Sequence, residues 1–325
     1  MQAIILGKTG GAGNLKFKEI EDPKKFKKND VLVKHTAIGV NFFDVCFRRG
    51  DYPIIEDMPA VLGMEACGVI EAVASGVKEF KVGDRVAYCT GGIGAYSEKR
   101  IIDKSRLVVV PDGISDSVAA GSLLKGLAAH TFLFRAFMAR RAKRILVHSA
   151  AGGVGQFLCQ WARAMKLEVI GTVGSADKVA VASENGCTYV INRKNSDFAK
   201  DVMELTNGQG VGAVYDGLGK ETLNKSLTTL WPMGICLAYG EASGLQENLN
   251  LNYLVKNSLY ITRPTVAIYK ANRAELVLGA GELFSNIKRG ILNPHITEYE
   301  FKDAARAHKD LESGKTKGSL VLKVG

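Results

Sequence analysis

The chain has 325 residues, 46% of them hydrophobic, and a formal net charge of +10. That length suits two domains with packed cores. The N-terminus has no charged-then-apolar leader, and no apolar run approaches the roughly 20 residues of a membrane span, so a soluble, cytoplasmic protein is expected.

The six cysteines (46, 67, 89, 159, 187 and 236) form no CxxC pair. Several lie within apolar runs, where a thiol acts as a small hydrophobe. A disulfide framework is not expected, and the pattern suits a reducing compartment.

In chain order, the N-terminal third reads as short strands at 3–6, 31–37, 66–73 and 85–88, broken by glycine, proline and charged residues. That spacing predicts a β-rich barrel. From 116 to 135 the pattern turns to an alanine- and leucine-rich helix. Arg135, Arg140, Arg141, Lys143 and Arg144 follow as a dense basic cluster. It reads either as a solvated helix end or as a nucleic-acid patch. Phe137 is the one aromatic within it, too few for a stacking platform, which favours the first and makes a nucleic-acid partner an unexpected one.

Ile145-Leu146-Val147-His148-Ser149 is a short apolar strand, followed by Ala150-Ala151-Gly152-Gly153-Val154-Gly155. Val154, Phe157, Leu158, Trp161, Ala162 and Met165 then recur at helical spacing. A strand, a glycine turn and a helix make a dinucleotide fingerprint with alanine at the first glycine position. Glycines let the backbone approach a pyrophosphate, and the free N–H groups of the helix start stabilise its charge. A plain turn is the alternative.

An NAD site would keep an acidic residue about 20 residues past the glycines, on the ribose hydroxyls. Here the second strand, 168–173, runs into Gly174-Ser175-Ala176-Asp177-Lys178. Ser175 and Lys178 offer donors to a 2′-phosphate, and Arg193 could add a second cation. NADPH is therefore the expected cofactor. Asp177 reads as a first-turn acid at a helix N-terminus, with ribose binding as the alternative.

Strands and helices keep alternating: a helix at 176–185, a strand at 189–192, a helix at 198–205, and strands at 212–216 and 235–239. This predicts an α/β fold with a parallel, doubly wound Rossmann sheet and its ligand at the carboxyl ends of the strands. Helices at 276–289, ending at Gly290, and at 303–313 precede a last strand at 319–324. That tail is expected to complete the N-terminal domain.

Several segments carry a resemblance. They are Ile38-Gly39-Val40-Asn41-Phe42-Phe43-Asp44, Gly68-Val69-Ile70-Glu71, Gly83-Asp84-Arg85-Val86, Lys125-Gly126-Leu127, the glycine turn, Ile170-Gly171-Thr172-Val173 and Thr262-Arg263-Pro264. Together they resemble the quinone oxidoreductase branch of the medium-chain dehydrogenase/reductase superfamily, over essentially the whole chain. The resemblance implies a GroES-like β-barrel domain (1–123 and 263–325) split around a Rossmann domain (124–262). It implies hydride or electron transfer from NADPH to a quinone without zinc, and a homodimer formed through the Rossmann domain near 258–261.

The same resemblance puts the nicotinamide near Asn41, Phe42, Phe43 and Asp44, with Lys125 and Arg263 close by. Tyr239, Gly240, Glu241 and Ala242 would run beneath it, and Leu218 and Gly174 join the cofactor contacts. Two departures stand out: Arg193 and Cys46 each occupy a place where close relatives carry tyrosine. The first adds a phosphate-binding cation; the second alters the shape of the quinone pocket. Asn41 and Tyr52 could donate hydrogen bonds to a quinone oxygen, though Tyr52 also reads as a barrel-surface aromatic.

Zinc-dependent members of the superfamily need a cysteine and a histidine in the barrel lobe. Asn41 and Met64 stand in those places, the structural-zinc cysteines are missing, and the five histidines (35, 130, 148, 295 and 308) show no ligand spacing. No metal is expected. Without a Lewis acid, an already electrophilic acceptor such as a quinone is favoured over a simple ketone. A 2-enone or alkenal reductase is the enzymatic alternative, and an RNA-binding or structural crystallin-like protein is the alternative from another class.

Overall fold

The structure, a computed structural model, describes residues 1–53 and 58–325. Internal packing divides the chain into two units. One comprises Met1–Leu124, Asn272–Lys288 and Pro294–Gly325; the other comprises Lys125–Ala271 and Arg289–Asn293.

In the first unit, a seven-stranded sheet runs Ile296–Glu300, Ser319–Lys323, Asp30–Val40, Glu65–Val73, Arg85–Tyr88 and Val108–Val109, with Lys99–Asp103 also paired to Asp30–Val40. A three-stranded sheet joins Leu15–Glu19, Gln2–Leu6 and Ala60–Val61. The C-terminal strand returns antiparallel to Asp30–Val40, with Leu320 opposite Val40, and so braces the chain just before Asn41. The core gathers the inward residues of these strands, among them Ile4, Leu6, Val33, Ile38, Leu62, Ile70 and Leu322.

One helix here, Phe42–Arg49, replaces the expectation that this third is strands alone. Its sequence hides it, because Phe42, Phe43, Val45, Cys46 and Phe47 look like a strand core. The ends explain it. The Asp44 carboxylate accepts the Asn41 N–H (2.8 Å), half of a capping box. Gly50 closes the helix at φ 90°, a left-handed turn that suits glycine.

The second unit is a six-stranded sheet in the order Tyr189–Asn192, Glu168–Val173, Arg144–Val147, Val211–Asp216, Leu230–Ala238 and Tyr260–Thr262, and every pairing is parallel. Chain order thus reverses beside Arg144–Val147. In open α/β sheets, the carboxyl ends of the strands at such a reversal are where ligands bind. Every residue of Val211–Asp216 is buried, as expected of a strand covered on both faces.

The helix Asp116–Thr131 continues through a π turn at Phe132–Ala136. This corrects the expectation about apolar runs. Asp116–Ala136 spans 21 residues with a window of mean hydropathy 1.2, enough to cross a membrane by length and composition. Protein rather than lipid covers it, because 78% of that window is buried.

Candidate active site

The glycine turn is built by close backbone approach. Ser149 sits at φ 53°, the Gly152 N–H donates to its carbonyl (2.8 Å), and the Ala150 N–H donates to the Thr172 carbonyl (3.0 Å). A Cβ on Gly155 would fall 2.1 Å from the Ser149 oxygen, so only glycine lets the helix Gly153–Ala164 pack onto the turn. The N-cap, Gly152, brings no side-chain cap. The first N–H groups of the helix lack intrahelical partners and form an anion cradle.

The next strand delivers Gly174 and Ser175, both half-buried, then a short 3-10 turn at Ala176–Lys178 with Asp177 exposed and Lys178 half-buried. Arg193 comes from the neighbouring strand end, where its N–H donates to the Val173 carbonyl (3.0 Å). Its Nη2 lies 3.8 Å from where a Gly174 Cβ would be, and its Nη1 is 3.4 Å from Glu221. Arg193 thus lies against Gly174, with Glu221 sharing its charge, while Ser175 and Lys178 follow in the turn that the same strand end leads into.

At the end of Val211–Asp216, the buried Asp216 organises two further segments. Its Oδ1 accepts the N–H groups of Leu218 (2.9 Å) and Gly219 (3.1 Å) and the Thr222 hydroxyl (2.9 Å), and its Oδ2 accepts the Ser226 hydroxyl (2.9 Å). Its carbonyl accepts the Tyr239 N–H (2.9 Å). The Ala242 N–H donates to the Gly217 carbonyl (3.2 Å), and the Glu241 carboxylate pairs with Arg263. Leu218, Tyr239 to Ala242 and Arg263 are thus brought together. Lys125 is buried in the helix Asp116–Thr131.

His148 completes this cluster. Its Nδ1 lies 2.8 Å from the Thr172 hydroxyl, and its Nε2 lies 2.9 Å from Ser226 and 3.9 Å from Asp216. Burial pulls its pKa down to about 4, against the opposing pull of Asp216. Serine, histidine and aspartate meet here without forming a nucleophilic triad. Ser226 hydrogen-bonds directly to the carboxylate, and all three side chains are fully buried.

In the first unit, the Asn41 Nδ2 donates to Glu65 Oε2 (2.9 Å), while Glu65 Oε1 accepts the Leu124 N–H (2.6 Å). Asp44, wholly buried, also accepts the Tyr96 hydroxyl (3.2 Å), which meets His308 Nε2 at 2.8 Å. Burial lowers the His308 pKa to about 3, assisted by Arg48. Phe43 is 44% exposed and stacks on Tyr52, with ring centroids 5.0 Å apart and planes 15° apart. Arg49 sits 5.7 Å from the Phe42 ring centre. Cys46 is buried, and Met64 packs on the core. Among the described residues, no group of three or more His, Cys, Asp or Glu is placed to hold a metal.

Glu65, Tyr96, His308, Asp216 and Glu221 are not among the site residues the sequence predicts. Two had a visible signal: Glu65 directly follows Met64, and Asp216 ends a strand whose carboxyl end was expected to face the ligand.

One unit is a parallel sheet with a glycine turn and the other a β unit, the two parts expected of a medium-chain dehydrogenase or reductase. Residues 27–112 match the alcohol dehydrogenase GroES-like domain, and residues 153–276 match the zinc-binding dehydrogenase family. The chain is 42% identical to the quinone oxidoreductase of Pseudomonas aeruginosa over 96% of each protein. It is 39% identical to the 2-haloacrylate reductase of a Burkholderia species over 99% of this chain and 98% of that one. The crystal structure of Escherichia coli quinone oxidoreductase complexed with NADPH aligns over 100% of both chains, with a TM-score of 0.95 and 39% identity. The chain belongs to the quinone oxidoreductase family of the medium-chain dehydrogenase/reductase superfamily.

Proposed function

We propose that this protein is an NADPH-dependent quinone reductase that works without zinc. The observation that carries the reading is Arg193 against Gly174, at the strand end that runs into Ser175 and Lys178 downstream of a glycine turn, in a chain 42% identical to a quinone oxidoreductase. The residues fit the cofactor. The cradle at Gly152, Gly153, Val154 and Gly155 takes the pyrophosphate, and Ser175, Lys178 and Arg193 take the 2′-phosphate. Lys125, Leu218, Tyr239, Gly240, Glu241, Ala242 and Arg263, with Phe42, Phe43 and Asp44, take the remainder.

When bound, NADPH supplies a hydride from C4 of its nicotinamide. Asn41, held by Glu65, and Tyr52, held against Phe43, donate hydrogen bonds to a quinone oxygen as negative charge builds on it. The two units then act as substrate and nucleotide domains, the strands of the first closing as a barrel. Asn41 and Met64 offer neither thiolate nor imidazole, and residues 153–276 contain no histidine. Both facts support chemistry without zinc. A homodimer through the sheet edge Tyr260–Thr262 is supported by the 60% exposure of Tyr260 and by the 79% exposure of Val255 in the preceding helix Asn252–Asn257. The free cysteines suit the cytoplasm.

One observation favours a second reading. The Burkholderia relative is named for reduction of a 2-haloacrylate, an activated alkene. NADPH oxidation against a panel of quinones, enones and alcohols, with and without chelator, decides among these. The proposal expects quinones fastest, alcohols inert and chelator harmless. Enones exceeding every quinone in kcat/KM would install the second reading, and loss of activity with one zinc per chain would overturn zinc independence.

A further inference from the structure

Cys159 and Cys187 face each other with their sulfurs 3.5 Å apart. Cys159 is fully buried in the middle of the glycine-turn helix Gly153–Ala164. Cys187 is half-buried and follows Gly186, just beyond the helix Val179–Glu184 that Lys178 opens.

Packing ties the pair to the turn. A Cβ on Gly171 would lie 2.4 Å from Cys187 Sγ and 2.8 Å from Ala150 Cβ, so a glycine in that strand lets the thiol sit directly behind the turn. Asn185, two residues before Cys187, donates from Nδ2 to the Ala150 carbonyl (3.2 Å) and accepts from Gln160 Nε2 (2.9 Å). A disulfide bond is about 2.05 Å long, so the sulfurs would have to close by roughly 1.5 Å. The helix around Cys159 is locked by the buried Phe157, Leu158 and Trp161. Movement of Cys187 toward Cys159 would act on the segment 185–187, whose Asn185 holds the Ala150 carbonyl.

We propose that Cys159 and Cys187 are a thiol switch that hydroperoxides close to a disulfide, and that closure weakens dinucleotide binding by displacing the turn at Ala150. The second half rests on the cofactor site proposed above. Cys187 is the more accessible thiol. The Cys159 thiol is held above its ordinary pKa by the hydrogen bond with Cys187 and by burial, so Cys187 reacts first. Its thiolate attacks one peroxide oxygen; an S–O bond forms, the O–O bond breaks, and the leaving oxygen departs as water or alcohol after taking up a proton. Cys159 Sγ then attacks the Cys187 sulfur. The S–S bond forms, the S–O bond breaks, and the Cys159 proton leaves with hydroxide as water. Two thiols lose two electrons and two protons, and the hydroperoxide gains them.

The pyrophosphate is common to both cofactors, so closure should weaken NADPH and NADH by the same factor, several-fold. Reciprocity requires that saturating NADPH slow the oxidation. The test treats purified full-length protein with hydrogen peroxide, blocks free thiols and maps the peptides. Loss of two of the six thiols to a Cys159–Cys187 link is expected, reversed by dithiothreitol and absent in both C187S and C159A. No link, or a link to another cysteine, overturns the switch. Fluorescence titration of oxidised and reduced protein tests the consequence, and unchanged affinity in fully oxidised protein overturns the coupling. If the reduced protein binds neither dinucleotide, the cofactor assignment and the coupling fall together, while the peptide map alone judges the link.

Discussion

Each unit hides a carboxylate and a histidine in a buried polar cluster, and the two clusters are built in opposite ways. Asp216 in the nucleotide unit draws its four donors from Leu218, Gly219, Thr222 and Ser226, all within ten residues of it. Asp44 in the other unit is capped locally by Asn41 but closes through Tyr96, 52 residues away, and from there to His308, a further 212 residues along. The first cluster shapes a turn from its own neighbours. The second fixes the entry of a short helix by stapling it to the far end of the chain. A local carboxylate thus sets backbone geometry, whereas a long-range one sets the orientation of an element.

The comparison breaks most directly by removing the carboxylates. Asp216→Ala strands the Leu218 and Gly219 N–H groups and takes one partner each from the Thr222 and Ser226 hydroxyls, which keep the Gly219 and Thr222 carbonyls. At about 1–3 kcal/mol for each unsatisfied buried group, with incomplete additivity, the loss should be about 3–5 kcal/mol. Asp44→Ala removes the acceptor of the Asn41 N–H and one of the two partners of the Tyr96 hydroxyl, and should cost about 2–3 kcal/mol. Urea unfolding followed by probes in each unit measures both. Equal costs would mean that the number of local donors does not govern the cluster.

The histidines sharpen the comparison through pH. Burial lowers His148 to about 4 and His308 to about 3, against an ordinary value of 6.5. Both are bases with depressed folded pKa values, so the unfolded state binds more protons below pH 6.5. The stability they contribute is whole above that pH and is lost as pH falls toward 4 for His148 and 3 for His308. The slope is about 1.4 kcal/mol per pH unit for each group, or about 3 kcal/mol by pH 4. His148→Gln and His308→Gln should each flatten the acid limb by one such slope, whatever their cost at neutral pH. An unchanged slope would mean that the imidazole takes up its proton while folded.

The same contrast explains what the sequence discloses. Alternation in the nucleotide unit reads directly: the strand Tyr189–Asn192 and the helix Phe198–Leu205 carry the bounds the residues predict, the helix being opened by Asp197, whose carboxylate accepts the Ala199 N–H. The strands Leu15–Glu19 and Ile296–Glu300 escape, because the first buries only Leu15 and the second no residue completely. The Phe42–Arg49 helix escapes because its caps, rather than its periodicity, define it. Among candidate site residues, Gly155 is legible from the glycine-turn pattern, and Arg193 from the resemblance and its charge. His308 and Cys187 are not, since only the fold brings them to their partners.

A division of labour follows if the nucleotide unit binds and the other reacts. Replacing Lys178 by Ala should weaken NADPH about tenfold, equivalent to about 1.4 kcal/mol, and leave NADH nearly unchanged. Arg193→Ala should act in the same direction with a smaller effect, because Glu221 already engages that guanidinium. Equilibrium titration with both cofactors reads the ratio. A wild type preferring NADH, or a ratio indifferent to Lys178, would assign the ribose to Asp177.

The smallest expected effect tests the other half of that division. Tyr52→Phe keeps the ring that stacks on Phe43 at 5.0 Å and removes only the hydroxyl. One neutral hydrogen bond contributes about 0.5–1.5 kcal/mol, so kcat/KM for a quinone should fall about fivefold, equivalent to about 1 kcal/mol. Thermal stability and NADPH affinity should hold, since the aromatic contact survives. Tyr52→Leu removes the stack as well and should add about 0.5–1.5 kcal/mol of destabilisation. The two variants separate the roles of the side chain, because a barrel-surface aromatic would lose stability in the leucine variant and lose nothing in the phenylalanine one. Full quinone turnover by Tyr52→Phe would therefore remove Tyr52 from the reaction and leave Asn41 as the donor to the quinone oxygen.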